Sequence, residues 1–445
     1  MVEVCHDNGL EVLIDVVYNH TTEGNQDGPN ISWKNFGPKT YYHQDEDENY
    51  QDVSGCGNSI AANRPLVRTL ILESLRCWAT ELGVDGFRFD LGIALSRGEN
   101  LIPLDEPPLF EEIEADPKLS DVKLISEPWD CGGLYKLGNF PAKKFRTWNG
   151  HFRDDIRRFW KGEKSTIWAL KDRLVGSKSL YNDNNLANIF SINFITSHDG
   201  FTLKDLVSFN KKHNLANGEN NRDGENHNNS FNYGVEGPTT KKEINNLRKR
   251  QQRNLLASLL LSPGIPMLLM GDEVGRSQGG NNNTWCQDNP LGWMNWDHRN
   301  CDQDLKEFVV KVISLRKQLP EFFSPNCVLN SYKDINKAKA SDFWIQWHGI
   351  KVNTPDWGDW SHTLGYSINK KDEGSVVWLG FNAYKEAMLF ELPKPISPWK
   401  KYIDTSFIKN KNISKKPLAN QSNIDIESNS LVLMIANEYS KKIKL

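Results

Sequence analysis

Residues 83–91 read "GVDGFRFDL". Gly83 closes a helical text, "PLVRTLILESLRCWATEL" (65–82), which has apolar residues at helical spacing and Pro65 in its first turn. Then "VDGFRFD" (84–90) reads as a strand. Arg88 and Asp90 stand two apart, so period-two alternation predicts that both side chains leave the same face. Charges at the end of an otherwise buried strand are costly unless paired. A parallel α/β sheet places polar clusters there, because the loops after its strands build the site.

The text on both sides repeats this plan. "LEVLIDVV" (10–17) reads as a strand buried on both faces. "VKLISEPW" (122–129), "FRTWNG" (145–150), "NIFSINFITSHD" (188–199) and "IPMLLMGDE" (265–273) read as further strands. Helices are expected at 151–160, 200–210, 241–262 and 303–319. The expected fold class is therefore an α/β, TIM-type (β/α)8 barrel that is incomplete at its N-terminus, with about six of its eight strands. After Pro320 short segments such as "SDFWIQWHG" and "GSVVWLGFNAY" alternate with Pro, Gly, Asn and Lys clusters. That pattern predicts a C-terminal antiparallel β-sandwich. The expected domains are 1–320 and 321–445. Two stretches, 211–240 and 276–290, are Asn- and Gly-rich. Their composition suits disorder, but their place after strands suits ordered cleft walls.

Composition narrows the function. A net charge of -3 gives no case for nucleic acid or an anionic membrane, and no apolar run reaches the length of a membrane span. Seven scattered cysteines without a Cys-x-x-Cys pair read as ordinary thiols in a reducing compartment, the cytoplasm or a plastid stroma. Fifteen tryptophans stand where about six would be usual, and an indole face suits the C–H face of a sugar as well as a core. The acidic run "DEDE" (45–48) reads as a solvated loop, with structural calcium as the alternative. No phosphate-binding loop is present. Nothing in the sequence sets an oligomeric state.

Asp90, Glu127 and Asp199 bring carboxylates from three strand ends. Glycoside hydrolysis needs such a set: a carboxylate that attacks the anomeric carbon and a protonated one that serves the leaving oxygen. Pro128 and Trp129 can help desolvate Glu127, and Arg88 can keep Asp90 ionised.

The ordered stretches "VLIDVVYNHT", "GVDGFRFDL", "ISEPWDCGGLY", "NFITSHDGFTLKDLVSFNKKHN", "NGENNRDG", "GVEGPT", "GDEVGRSQGGNNN", "CQDN", "WHGIKVNTPDW" and "FNAY" resemble the α-amylase superfamily, specifically its isoamylase and glycogen-debranching branch. The likeness covers nearly the whole chain. It implies that Asp90 is the nucleophile, Glu127 the acid/base and Asp199 the transition-state stabiliser. It also implies that His20 and His198 bond sugar hydroxyls, with Trp129 beside the substrate, while Arg88 orients Asp90 and Asp15 braces Arg88. "LGIALS" after Asp90 lacks the Lys-His pair of common amylases, which favours α-1,6 over α-1,4 cleavage. The implied partner is a branched α-glucan, with no cofactor. The alternatives are another superfamily activity, α-1,4 hydrolysis or glucan transfer, or an inactive glucan-binding relic. The resemblance starts at the family's third barrel strand. The earlier strands, an N-terminal sandwich and a glucose-stacking aromatic lack counterparts, so this polypeptide alone is expected to be unstable or weakly active.

Overall fold

The computed structural model describes residues 1–181, 187–297, 299, 301–327, 330–331, 343–370, 374–407, 417–436 and 443. Strands β1 (Leu13–Val16), β2 (Gly86–Phe89), β3 (Lys123–Ser126), β4 (Arg146–Asn149), β5 (Ser191–Phe194) and β6 (Ile265–Met267) follow the chain in sheet order. β1–β2, β2–β3 and β3–β4 pair in parallel. Between and beyond them run α1 (Val2–Asp7), α2 (Pro65–Thr80), α3 (Pro108–Ala115), α4 (Gly150–Lys161), α5 (Ile167–Arg173), α6 (Lys242–Leu260) and α7 (Gln303–Gln318). Asn149 caps α4 by accepting from Phe152 N at 2.8 Å, and Gly162 ends it in the left-handed conformation.

The chain divides into two compact units, Met1–Trp148 with Leu180–Ile192, and Asn149–Ser179 with Asn193–Leu445. The first has a core of Val67, Ile71 and Leu75 from α2, Phe87 and Phe89 from β2, Leu124 from β3 and Phe110 from α3. The helical spacing of the α2 residues puts them on its inner face. The second contains α4 to α7 and the antiparallel strands β7 (Asn330–Ser331), β8 (Phe343–His348), β9 (Thr363–Lys370), β10 (Gly374–Asn382), β11 (Met388–Glu391), β12 (Trp399–Asp404), β13 (Asn423–Ile426) and β14 (Ser430–Ala436). Their sheet orders are β12-β14-β10-β9-β8-β7 and β11-β13, and the β7–β8 pair is the parallel exception.

Several elements depart from expectation. β1 is not buried on both faces: it pairs with β2 at the edge of its sheet, and only Val16 is fully buried. The strand expected over 188–199 is a helical turn at Ala187–Phe190 followed by four strand residues, and the helix expected over 200–210 is the turn Leu203–Leu206. β6 stops at Met267 although the apolar text continues, and Met270 is exposed. At β5 and β6 apolar character persists beyond the hydrogen-bonded ladder.

Candidate active site

In the first unit β1, β2 and β3 align Asp15 with Arg88 and Arg88 with Ile125. One register step beyond β3 comes Glu127. The Arg88 guanidinium is buried and touches three carboxylates: Nη1 donates to Asp15 Oδ1 and Oδ2 at 2.8 and 3.0 Å and to Asp90 Oδ1 at 3.0 Å. Nη2 donates to Glu127 Oε1. Burial pulls against the charged guanidinium, but Glu127, Asp15 and Asp90 outweigh it and raise its pKa above the ordinary value. Its plane lies 4.3 Å over the Trp148 ring, so β4 supplies a cation–π floor.

Glu127 is 3 % exposed, which favours its neutral form, while the Arg88 pair favours the charged form. Its second oxygen accepts from Leu91 N at 2.8 Å. Leu91 holds a left-handed φ of 39°, uncommon for a leucine, directly after Asp90. Gly92 follows because a Cβ there would stand 2.0 Å from Ser126 Oγ, so the turn can close on β3 only with glycine.

Asn19 is buried and donates to Asp90 O at 2.7 Å and Oδ2 at 2.9 Å, while its own Oδ1 lies 2.6 Å from His20 Nδ1. Burial lowers the His20 pKa although Asp90 and Asp52 pull upward. Trp129 is half-buried, with its ring 5.9 Å from Tyr135. The structure thus brings Asp15, His20, Arg88, Asp90 and Glu127 into one hydrogen-bonded cluster. Sequence reasoning missed Asn19, Trp148 and the Leu91 amide. The "YNH" of 18–20 was the available signal for Asn19; nothing in the text marked the other two.

His198 and Asp199 belong to the second unit, past the end of β5, where both are exposed and His198 Nε2 lies 3.6 Å from Asp199 Oδ2. The two Asn-rich stretches of that unit are ordered. Asn282 N donates to Asn214 Oδ1 at 3.0 Å, Asn214 Nδ2 returns to Asn282 Oδ1 at 2.8 Å, and Asn282 Nδ2 reaches Asn228 Oδ1 at 3.0 Å. Gly200 N, next to Asp199, donates to Asn282 O at 3.0 Å. Low hydrophobicity here reflects an amide network. The acidic loop at 45–48 folds on itself, Asp45 Oδ1 accepting from Asn49 N at 2.8 Å. Among the described residues no group of three or more His, Cys, Asp or Glu side chains is disposed for a metal ion, and no helix is long and apolar enough to cross a membrane.

Carboxylates gathered by a guanidinium at the ends of parallel strands supply the paired acids that glycoside hydrolysis needs. The comparisons agree. The family described as "Isoamylase 1-3, C-terminal" matches residues 346–428. Isoamylase 1, chloroplastic, of Oryza sativa subsp. japonica is 41% identical over 425 residues, covering 91% of this chain and 51% of that protein. The glycogen operon protein GlgX homolog of Mycobacterium tuberculosis (strain ATCC 25618 / H37Rv) is 46% identical over 366 residues, covering 80% and 50%. The structure of pullulanase type I from Bacillus subtilis str. 168 complexed with maltose matches at a TM-score of 0.70 and 22% identity, over 98% of this chain and 55% of that one. Over most of its length the chain is thus similar to isoamylases and glycogen operon proteins. It spans about half the length of the curated relatives it matches.

Proposed function

We propose that the protein of which this chain is part hydrolyses α-1,6 branch linkages of a glycogen- or amylopectin-type glucan with retention. The observation that carries the reading is the single Arg88 guanidinium held between Asp90 and Glu127. Asp90 attacks the anomeric carbon, the glycosidic C–O bond breaks, and Glu127 gives its proton to the departing oxygen. Glu127 then takes a proton from water, whose oxygen displaces Asp90 and frees the sugar with its original configuration. Arg88 fixes both carboxylates; Asp199 answers the positive charge that develops on the ring. His20, His198 and Trp129 contact the sugar. The reaction needs no cofactor. The antiparallel region from 321 onward is proposed as a C-terminal sandwich domain of a barrel enzyme that works in a reducing compartment.

Product analysis tests the reading. Amylopectin should lose branch points and release linear chains, whereas linear maltodextrin should survive. Shortened maltodextrin with intact branch points would overturn it in favour of α-1,4 hydrolysis. Asp90→Asn should abolish turnover without altering the melting curve. Glu127→Gln should spare the first step of substrates with good leaving groups, which need no proton.

A further inference from the structure

On the second unit two indoles are held rigidly yet left in water. Trp168, on α5, is 56% exposed, and Trp360, in the loop before β9, is 66% exposed. A large apolar face in water is unfavourable, and a free side chain would fold down to reduce it. Neither is free. Trp168 stacks on Trp357 at 4.8 Å with 25° between the planes, and Lys171 Nζ sits 4.8 Å from the Trp168 ring centre. Trp360 lies flat against Gly358, where a Cβ would meet its ring carbons at 2.5 Å. Its indole N–H donates to Asp356 Oδ2 at 3.1 Å, and Tyr384 Oη donates to its carbonyl at 3.0 Å. The two strips are tied together, Ser165 N donating to Asp359 O at 2.8 Å.

We propose that Trp168 and Trp360 form a surface subsite that holds a chain of an α-1,4-linked glucan. The subsite rests on the reading of the protein as an α-glucan enzyme. An indole presents a flat apolar face with a polar edge, which matches a pyranose ring with its C–H groups on the face and hydroxyls around the rim. The exposed Asp356 and Asp359 supply acceptors for those hydroxyls. A protein partner would call for a contiguous apolar patch, but the pads are bordered by Asp, Ser and Lys. The use of such a subsite is tethering: a polymer held there returns its branches to the active site at a raised effective concentration.

The test is native-gel affinity electrophoresis through soluble amylopectin, with Asp90→Asn as the background so that the gel is not digested. Trp360→Ala should weaken retardation about tenfold, the loss of one stacking pad, and Trp360→Phe should restore most of it. Trp360→Ala in the otherwise unchanged protein should hydrolyse a short branched oligosaccharide at the parental rate. If Trp360→Ala lowers the melting temperature, Trp360→Phe and Trp168→Ala decide the matter on their own. Undiminished retardation of folded variants would overturn the subsite, and so would equal retardation by a soluble β-1,4-glucan. Trp360-dependent retardation in a protein that cuts no α-1,6 linkage would retain the subsite and sink the activity instead.

Discussion

At the scale of single residues an unusual titrating group outside the Arg88 cluster is Asp272. Its side chain is wholly buried past the end of β6, where Oδ1 accepts from Leu203 N at 2.9 Å and Oδ2 from the Thr196 hydroxyl. Burial pushes its pKa from 3.8 to about 7, against the lowering pull of those two hydrogen bonds. The unfolded chain therefore loses this proton near pH 4 while the folded chain keeps it to about pH 7. Stability from this group is complete below the lower value and is lost as pH rises through the upper one. Asp272→Asn keeps an acceptor for Leu203 N and an amide for Thr196 but has no charge to bury. Melting curves of the two proteins should coincide near pH 4, and the variant should melt higher at pH 8. A constant difference across that range would show that Asp272 is ionised in the native state throughout. Arg88 makes a different point about single residues. The alternation in "FRFD" foretold its contact with Asp90, but its simultaneous hold on Glu127 depends on the β2–β3 register, which no single segment encodes.

At the scale of elements the amide network is the feature that departs most from its composition. Asn282 ties its own loop to two points of the 211–240 stretch, Asn228 and Asn214, 54 and 68 residues away in sequence. Replacing it with Ala strands Asn228 Oδ1, at about 1–3 kcal/mol for a buried group left unsatisfied, and takes one acceptor from Asn214 Nδ2, which keeps Asp223 O. Asn282→Ala should thus open residues 211–228 to limited proteolysis under native conditions while circular dichroism of the helices stays unchanged. A digestion pattern identical to the parent's would show that the backbone turns alone order the loop. The strand ends were legible because a charge directly after a buried apolar run must sit where the ladder meets water or a partner. Strand lengths were less so: Ile195 beyond β5 packs in the core without joining the ladder, and Leu268 beyond β6 does likewise. The edge position of β1 was not legible in its own apolar run, which reads the same whether its sides are covered or open; it followed only from the resemblance, which starts at the family's third barrel strand. The composition of the asparagine loops suited disorder, and only their place after strands pointed to order, because amide pairing across long separations leaves no local periodicity.

At the scale of the whole molecule the second unit is built around one continuous core. Phe152, Ile156 and Phe159 of α4, Leu255 and Leu259 of α6 and Val312 of α7 belong to the same buried cluster as Tyr366 of β9, Phe381 of β10 and Leu433 of β14. Polar bonds reinforce it. Asn254 Nδ2 donates to Asn429 O at 2.8 Å, Gln251 Nε2 to Asn429 Oδ1 at 3.1 Å, and Arg253 Nε to Thr405 O at 3.0 Å, while Thr405 Oγ1 donates to Asn254 Oδ1. Helices and antiparallel sheets sharing a core should melt together rather than in sequence. Asn254→Leu removes the donor to the Asn429 carbonyl, a buried group left unsatisfied being worth about 1–3 kcal/mol, and leaves the Thr405 hydroxyl with Leu431 alone. Calorimetry of the whole chain should show the transition that carries the α6 helix and the one that carries the β-sheet signal moving down together by several degrees. Tryptophan fluorescence from Trp160 on α4 and Trp378 on β10 reports the two sides separately through single-tryptophan backgrounds. A variant in which the sheet signal keeps its midpoint while the helical signal falls would show that the antiparallel region holds itself together without the helices.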